Sequence, residues 1–193
     1  MTNKIDRLKE HLNIINVNIE TEILKLPNLK EAHIYCVIQQ ISAQKYGLLL
    51  EKFIQTKYNF IKNNPQDCLG DCSKNGINYE IKVSLGGANH TKFNYVQIRP
   101  SHNCDIYIFT AYHLSNENVE LEGELFIFKI PKKEIINLLS LYGSYAHGTI
   151  KEYGLITIET LYKNNNIEYA LRPHFNDNCW KAMLNFKIQE TDF

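Results

Sequence analysis

The sequence has no net charge, no long apolar run and no paired cysteine pattern, and each absence excludes something. Lys and Arg number 21 together, as do Asp and Glu. A protein that coats nucleic acid through bulk positive charge is basic overall, so that class is excluded. No apolar run approaches the roughly 18 residues that a bilayer span requires, so no membrane partner is expected. The opening stretch from Met1 to Asn13 is charged and lacks the apolar core of a secretory signal; a soluble, cytoplasmic protein is the expectation. The cysteines Cys36, Cys68, Cys72, Cys104 and Cys179 are odd in number and unevenly spaced, which reads as free thiols in a reducing compartment. Cys68 and Cys72 precede His90, His102 and Cys104, but neither C-x2-C nor H-x3-5-H occurs, which disfavours a structural zinc site. Arginine is scarce, 3 against 18 lysines.

What is present describes one domain. The 193 residues are 44% apolar and 22% charged, ordinary for a globular chain of this length. Residues 1–100 carry 13 basic and 9 acidic side chains, and residues 101–193 carry 8 and 12, so an anionic ligand should meet the first half. Three parts follow one another. Residues 1–62 read as helical, with an amphipathic stretch over 3–19 and a proline-free run from Leu29 to Ile61, one helix or two, since Ser42 can cap a second. Residues 63–130 read as the sheet. Strands are predicted at 69–73, 77–84, 93–99, 105–112 and 124–130, the last two apolar on both faces and therefore central. Residues 131–193 begin with Pro131, suited to the first turn of a helix ending near Tyr142. Short strands near 154–161 and 167–172 and a helix near 177–186 complete a part suited to DNA recognition or dimerisation. The class is α/β or α+β, a mixed five- to six-strand sheet flanked by helices.

The informative segment runs from Gly70 to Ser84. Asn75-Gly76 is the strongest short hairpin signal, because both central residues of a type I′ turn take positive φ. Counting back from that turn pairs Lys74 with Ile77, Ser73 with Asn78 and Cys72 with Tyr79, leaving Asp71 facing Glu80. Opposed like charges destabilise a sheet unless compensated, and a hard divalent cation is the natural compensator. Lys82 shares the face of Glu80 by strand periodicity, while Tyr79, Ile81 and Val83 turn into the core.

Gly70-Asp71 followed by Glu80-Ile81-Lys82-Val83-Ser84 resembles the active-site signature of the PD-(D/E)xK nucleases, in particular type II restriction endonucleases. Gly47-Leu48-Leu49-Leu50-Glu51 resembles the Gly-x-x-x-Glu that precedes the first strand in many of them, and Val96-Gln97-Ile98-Arg99-Pro100 resembles a following strand. One departure stands out: Gly70, not proline, precedes Asp71. Asp67, after Pro65-Gln66, is a second candidate acid but falls four residues short of Glu80 in the hairpin register.

The resemblance implies a restriction-endonuclease-like core and a Mg²⁺-dependent, sequence-specific cut of double-stranded DNA, made by a homodimer of a restriction-modification system. Asp71 and Glu80, with the backbone carbonyl of Ile81, would hold the ion. Lys82 would orient water and offset phosphate charge, as general base or not. Glu51 and Gln97 would be accessory catalytic residues. Lys92, Arg99 and His102 suit contacts to DNA beside the site, and His147, Arg172 and Asn176 lie in loops with base-reading chemistry. The alternatives are a repair or junction nuclease, a nicking subunit, or a non-catalytic DNA-binding module on the same scaffold.

Overall fold

The structure is a computed structural model that describes residues 4–12, 18–87, 92–114, 123–146, 153–163 and 167–193. Helices come first: α1 (Lys4–Leu12), α2 (Ile19–Ile23), α3 (Leu29–Ile38) and α4 (Ala43–Lys57). The proline-free run therefore holds two helices. Asn28 starts α3 by accepting a hydrogen bond from the Glu31 N–H, whereas Ser42 stands at the start of α4 without making a side-chain cap. The strands are β1 (Ile61–Lys62), β2 (Cys72–Lys74), β3 (Ile77–Gly87), β4 (Tyr95–Ile98), β5 (Ile106–Leu114) and β6 (Glu124–Pro131). Then come α5 (Lys132–Tyr142), β7 (Gly143–Tyr145), α6 (Ile158–Lys163), β8 (Tyr169–Leu171), α7 (Asn178–Leu184) and β9 (Lys187–Ile188). Among the described residues no helix is long and apolar enough to cross a membrane.

The main sheet has six strands in the order β1-β2-β3-β5-β6-β9. It is mixed: β3 and β5 run parallel, from Tyr79↔Ile106 to Gly87↔Leu114, and its other neighbours run antiparallel. As predicted, the strands apolar on both faces are interior. Alternate side chains of β5 and β6 enter two different cores. Tyr107, Phe109, Phe126 and Phe128 join Trp180 and the helices α5 and α7 on one side; Ile108 and Ile127 meet Phe53, Leu50 and the helices α2–α4 on the other. Phe93 stacks on Trp180 with ring centroids 4.7 Å apart, and Phe126 and Phe128 meet that indole edge-on. An indole so enclosed contributes about 3–5 kcal/mol on truncation to alanine.

Two expectations fail here. β4 does not extend the main sheet; it forms a second, three-stranded sheet, β4-β8-β7, layered against the first. Residues 158–163 are helical rather than extended, because Thr157 starts a helix: its hydroxyl oxygen accepts from the Thr160 N–H at 3.2 Å, and that local bond outweighs the β-branched composition. Gly86 lies inside β3, where a Cβ would come within 2.5 Å of the Phe93 ring.

Candidate active site

The hairpin of β2 and β3 has the predicted register: Lys74↔Ile77, Ser73↔Asn78 and Cys72↔Tyr79. Asn75 and Gly76 have φ of 53° and 77°, the left-handed pair that a type I′ turn demands. The count breaks one residue later. Asp71 lies outside the ladder; its N–H donates to the Tyr79 carbonyl at 2.8 Å, and its Oδ2 accepts from the Ile81 N–H at 2.7 Å. The cause is Gly70, at φ +84°. Proline, fixed near φ −65°, cannot adopt that turn, and a Cβ at position 70 would stand 2.6 Å from the Tyr79 oxygen. The glycine that departs from the nuclease signature is thus what the local backbone requires.

Glu80 and Lys82 share a face of β3, with Lys82 Nζ 2.7 Å from Glu80 Oε1. Tyr79 and Ile81 point the other way into the second core. Glu80 is buried, its side chain 4% exposed, among the aromatic side chains of its parallel partner β5, where it pairs with Tyr107. Glu51 reaches the group from α4. Its carboxylate accepts from Gln55 Nε2 at 3.0 Å, and the same amide donates to the Asp71 carbonyl at 3.4 Å.

The electrostatics follow from one buried and two half-buried acids, with Lys82 beside Glu80 and Lys62 near Glu51. Asp71 is pushed up to about 7, first by burial and then by Glu80 and Glu51, against the opposing pull of Lys82 and the Ile81 N–H. Burial also raises Glu51, with Gln55, Lys62 and Lys82 working against it. Three carboxylates meet one close ammonium, that of Lys82, and the donors are hard oxygens. Among the described residues no three His, Cys, Asp or Glu side chains are grouped as a metal cage. Mg²⁺ does not ask for one: it takes one or two carboxylates and completes its octahedron with water and phosphate. The residues fit that ion.

No protein-family model, curated protein or solved structure matches this chain.

The other predicted residues are distributed unevenly. His102 is brought to the site rather than to a DNA-facing surface: its Nδ1 is 3.8 Å from Glu80 Oε2, and burial lowers its pKa despite Glu80. Gln97 is exposed at φ 56°, where β4 shifts register against β8; its strand is no neighbour of β3 in the main sheet. Arg99 pairs with Glu168, its Nε 2.9 Å from the carboxylate. Arg172 ties the second layer together, donating from Nε to Asn94 Oδ1 at 3.0 Å, from Nη2 to the Ala146 carbonyl at 3.1 Å, and to Ser144 Oγ. Both guanidinium groups therefore serve the packing of β4, β7 and β8. Lys92 and Asn176 are exposed, Asn176 in a turn at φ 69°. His147 lies outside the described residues. Asp67 is exposed in a 3-10 turn. The thiols of a supposed zinc site diverge, with Cys72 in one core, Cys104 in the other and Cys68 at the surface.

Gln55 and Lys62 were missed by sequence reading. The signal for Gln55 was present, since Glu51 and Gln55 stand four apart on one helix face.

Proposed function

We propose that the protein is a Mg²⁺-dependent endonuclease that cuts double-stranded DNA at a specific site, a type II restriction enzyme acting as a homodimer. The observation that carries the reading is the convergence of Asp71, Glu80 and Lys82 at one end of a rigid interior hairpin, with Glu51 as a third acid. The mixed sheet, with helices packed on both faces, supports a restriction-endonuclease-like core.

Asp71, Glu80 and the Ile81 carbonyl would hold Mg²⁺, which polarises the scissile phosphate and acidifies bound water. Lys82 presents its ammonium beside Glu80, where it offsets the charge that builds on the phosphate oxygens. Glu51, fixed by Gln55, orients the attacking water by accepting its hydrogen bond. The Ile81 N–H holds the Asp71 carboxylate in one rotamer, so the acid is positioned before substrate arrives. Water attacks phosphorus, the bond to the 3′ oxygen breaks, and a 5′-phosphate and a 3′-hydroxyl result.

Incubation of plasmid and genomic DNA with Mg²⁺ tests this. Discrete fragments are expected, with a shared sequence at their ends. A smear, or cleavage only at branched or nicked substrates, would identify a repair or junction nuclease or nicking subunit instead. Asp71→Asn, Glu80→Gln and Lys82→Ala should each lower the rate by at least about a hundred- to a thousandfold, with the fold retained. Wild-type rates in any of the three would refute the assignment.

A further inference from the structure

A groove of about 470 Å³ runs between α4 and β1 and shares Glu51 with the candidate site. Its walls carry Lys52, Thr56 and Lys62 together with Leu48 and Phe60. Glu51 is the one acid in that lining, and it is already turned to Gln55 and Asp71. Lys52 and Lys62 are exposed, and among the described residues neither is in an ion pair. Lys62 pairs with Cys72 across the β1–β2 ladder, one residue from Asp71, which puts its strand directly beside the acid. Leu48 is 62% exposed at the groove, whereas Phe60, 8% exposed, only floors it. The lining thus sets two cations and a hydroxyl beside one uncovered apolar side chain. A nucleic-acid strand, with its phosphates flanked by sugars, presents the complementary surface.

We propose that this groove takes the DNA strand adjoining the scissile phosphate, with Lys52 and Lys62 holding a flanking phosphate and Leu48 lying against a sugar. The proposal rests on the nuclease reading and extends it to a defined strand path. Two lysines in the groove also add to the positive charge that Lys82 supplies beside the three acids.

The test uses the full chain loaded with Ca²⁺ and a duplex carrying the cleavage site, with binding followed by anisotropy over a salt series. Each released phosphate contact lowers the slope of log affinity against log salt by about 1. Lys52→Ala and Lys62→Ala should each do so, the double variant by about 2, with affinity at least tenfold lower. Lys163→Ala, on α6 and paired with Glu159, should leave the slope unchanged. A neutral methylphosphonate at the flanking position should weaken wild-type binding and add nothing in the double variant, as coupled partners do. A wild-type slope in the double variant, with cleavage intact in the wild type, overturns the groove and leaves the nuclease standing. Absence of both cleavage and salt-dependent binding in the wild type overturns both.

Discussion

Asp71 keeps its proton to about pH 7 because burial and two facing carboxylates outweigh Lys82 and the Ile81 N–H. In the unfolded chain the same group titrates near 4. Between those values the folded state binds more protons, so stability from this group is full below pH 4 and is lost as pH rises toward 7. Asp71→Asn keeps the acceptor for the Ile81 N–H and removes the titration. Its melting temperature in EDTA should therefore gain on the wild type as pH goes from 5 to 8; parallel curves would sink this account. His33 works in the opposite sense. It is fully buried, with Nδ1 hydrogen-bonded to the Tyr46 hydroxyl at 2.5 Å and its ring stacked on Tyr112, and burial lowers its pKa to about 3. The unfolded state binds the extra proton between pH 6.5 and 3, so His33 makes stability fall as pH drops through that window, by at most about 1.4 kcal/mol per pH unit. Acid unfolding of His33→Gln should be shallower over that range, and an unchanged slope would exclude His33. The two groups oppose each other between pH 4 and 6.5, so each is read against its own variant.

At the scale of elements, the hairpin was legible because its turn chemistry is local: Asn75-Gly76 specifies positive φ at adjacent positions, and the register follows by counting. The count failed at Asp71 because Gly70 redirects the chain, and nothing in residue spacing reveals a φ of +84°. β4 was misplaced for a different reason. Its partner is β8, with Tyr95 paired to Leu171, and no local pattern announces a partner so distant in the chain. The roles of Arg99 and Arg172 were hidden likewise, since Glu168 and Ser144 become their neighbours only once the second sheet forms. The importance of Gly70 leads to a prediction. Gly70→Ala forces a left-handed backbone on a residue with a Cβ and drives that atom toward the Tyr79 carbonyl. The cost should be about 1–3 kcal/mol, measurable by denaturant unfolding. Cleavage should fall further than stability, because Asp71 moves with the turn. A Gly70→Pro change should be worse than Gly70→Ala, despite restoring the residue that the nuclease signature carries.

At the scale of the whole molecule, the proposed function sets a chain of zero formal charge against a polyanion. Residues 45–99 hold 8 basic and 4 acidic side chains, and three of those acids are Glu51, Asp71 and Glu80. A bound divalent cation would offset two of those three negative charges and raise the formal charge of the region from +4 to +6. Specific DNA affinity should therefore rise at least tenfold, or about 1.4 kcal/mol, between EDTA and Ca²⁺ at fixed ionic strength; equal affinity would favour a non-catalytic module. The sheet topology also orders events in time. The bond from Asp71 to the Ile81 N–H spans ten residues, so the acids meet as soon as the hairpin closes. The burial that makes them unusual comes later, as β5 pairs with β3 and β6 with β5. Contacts of such long sequence separation form slowly. On the proposed function, a growing chain would first hold its carboxylates together as ordinary, solvated acids, and would become chemically competent only once β5 and β6 have docked.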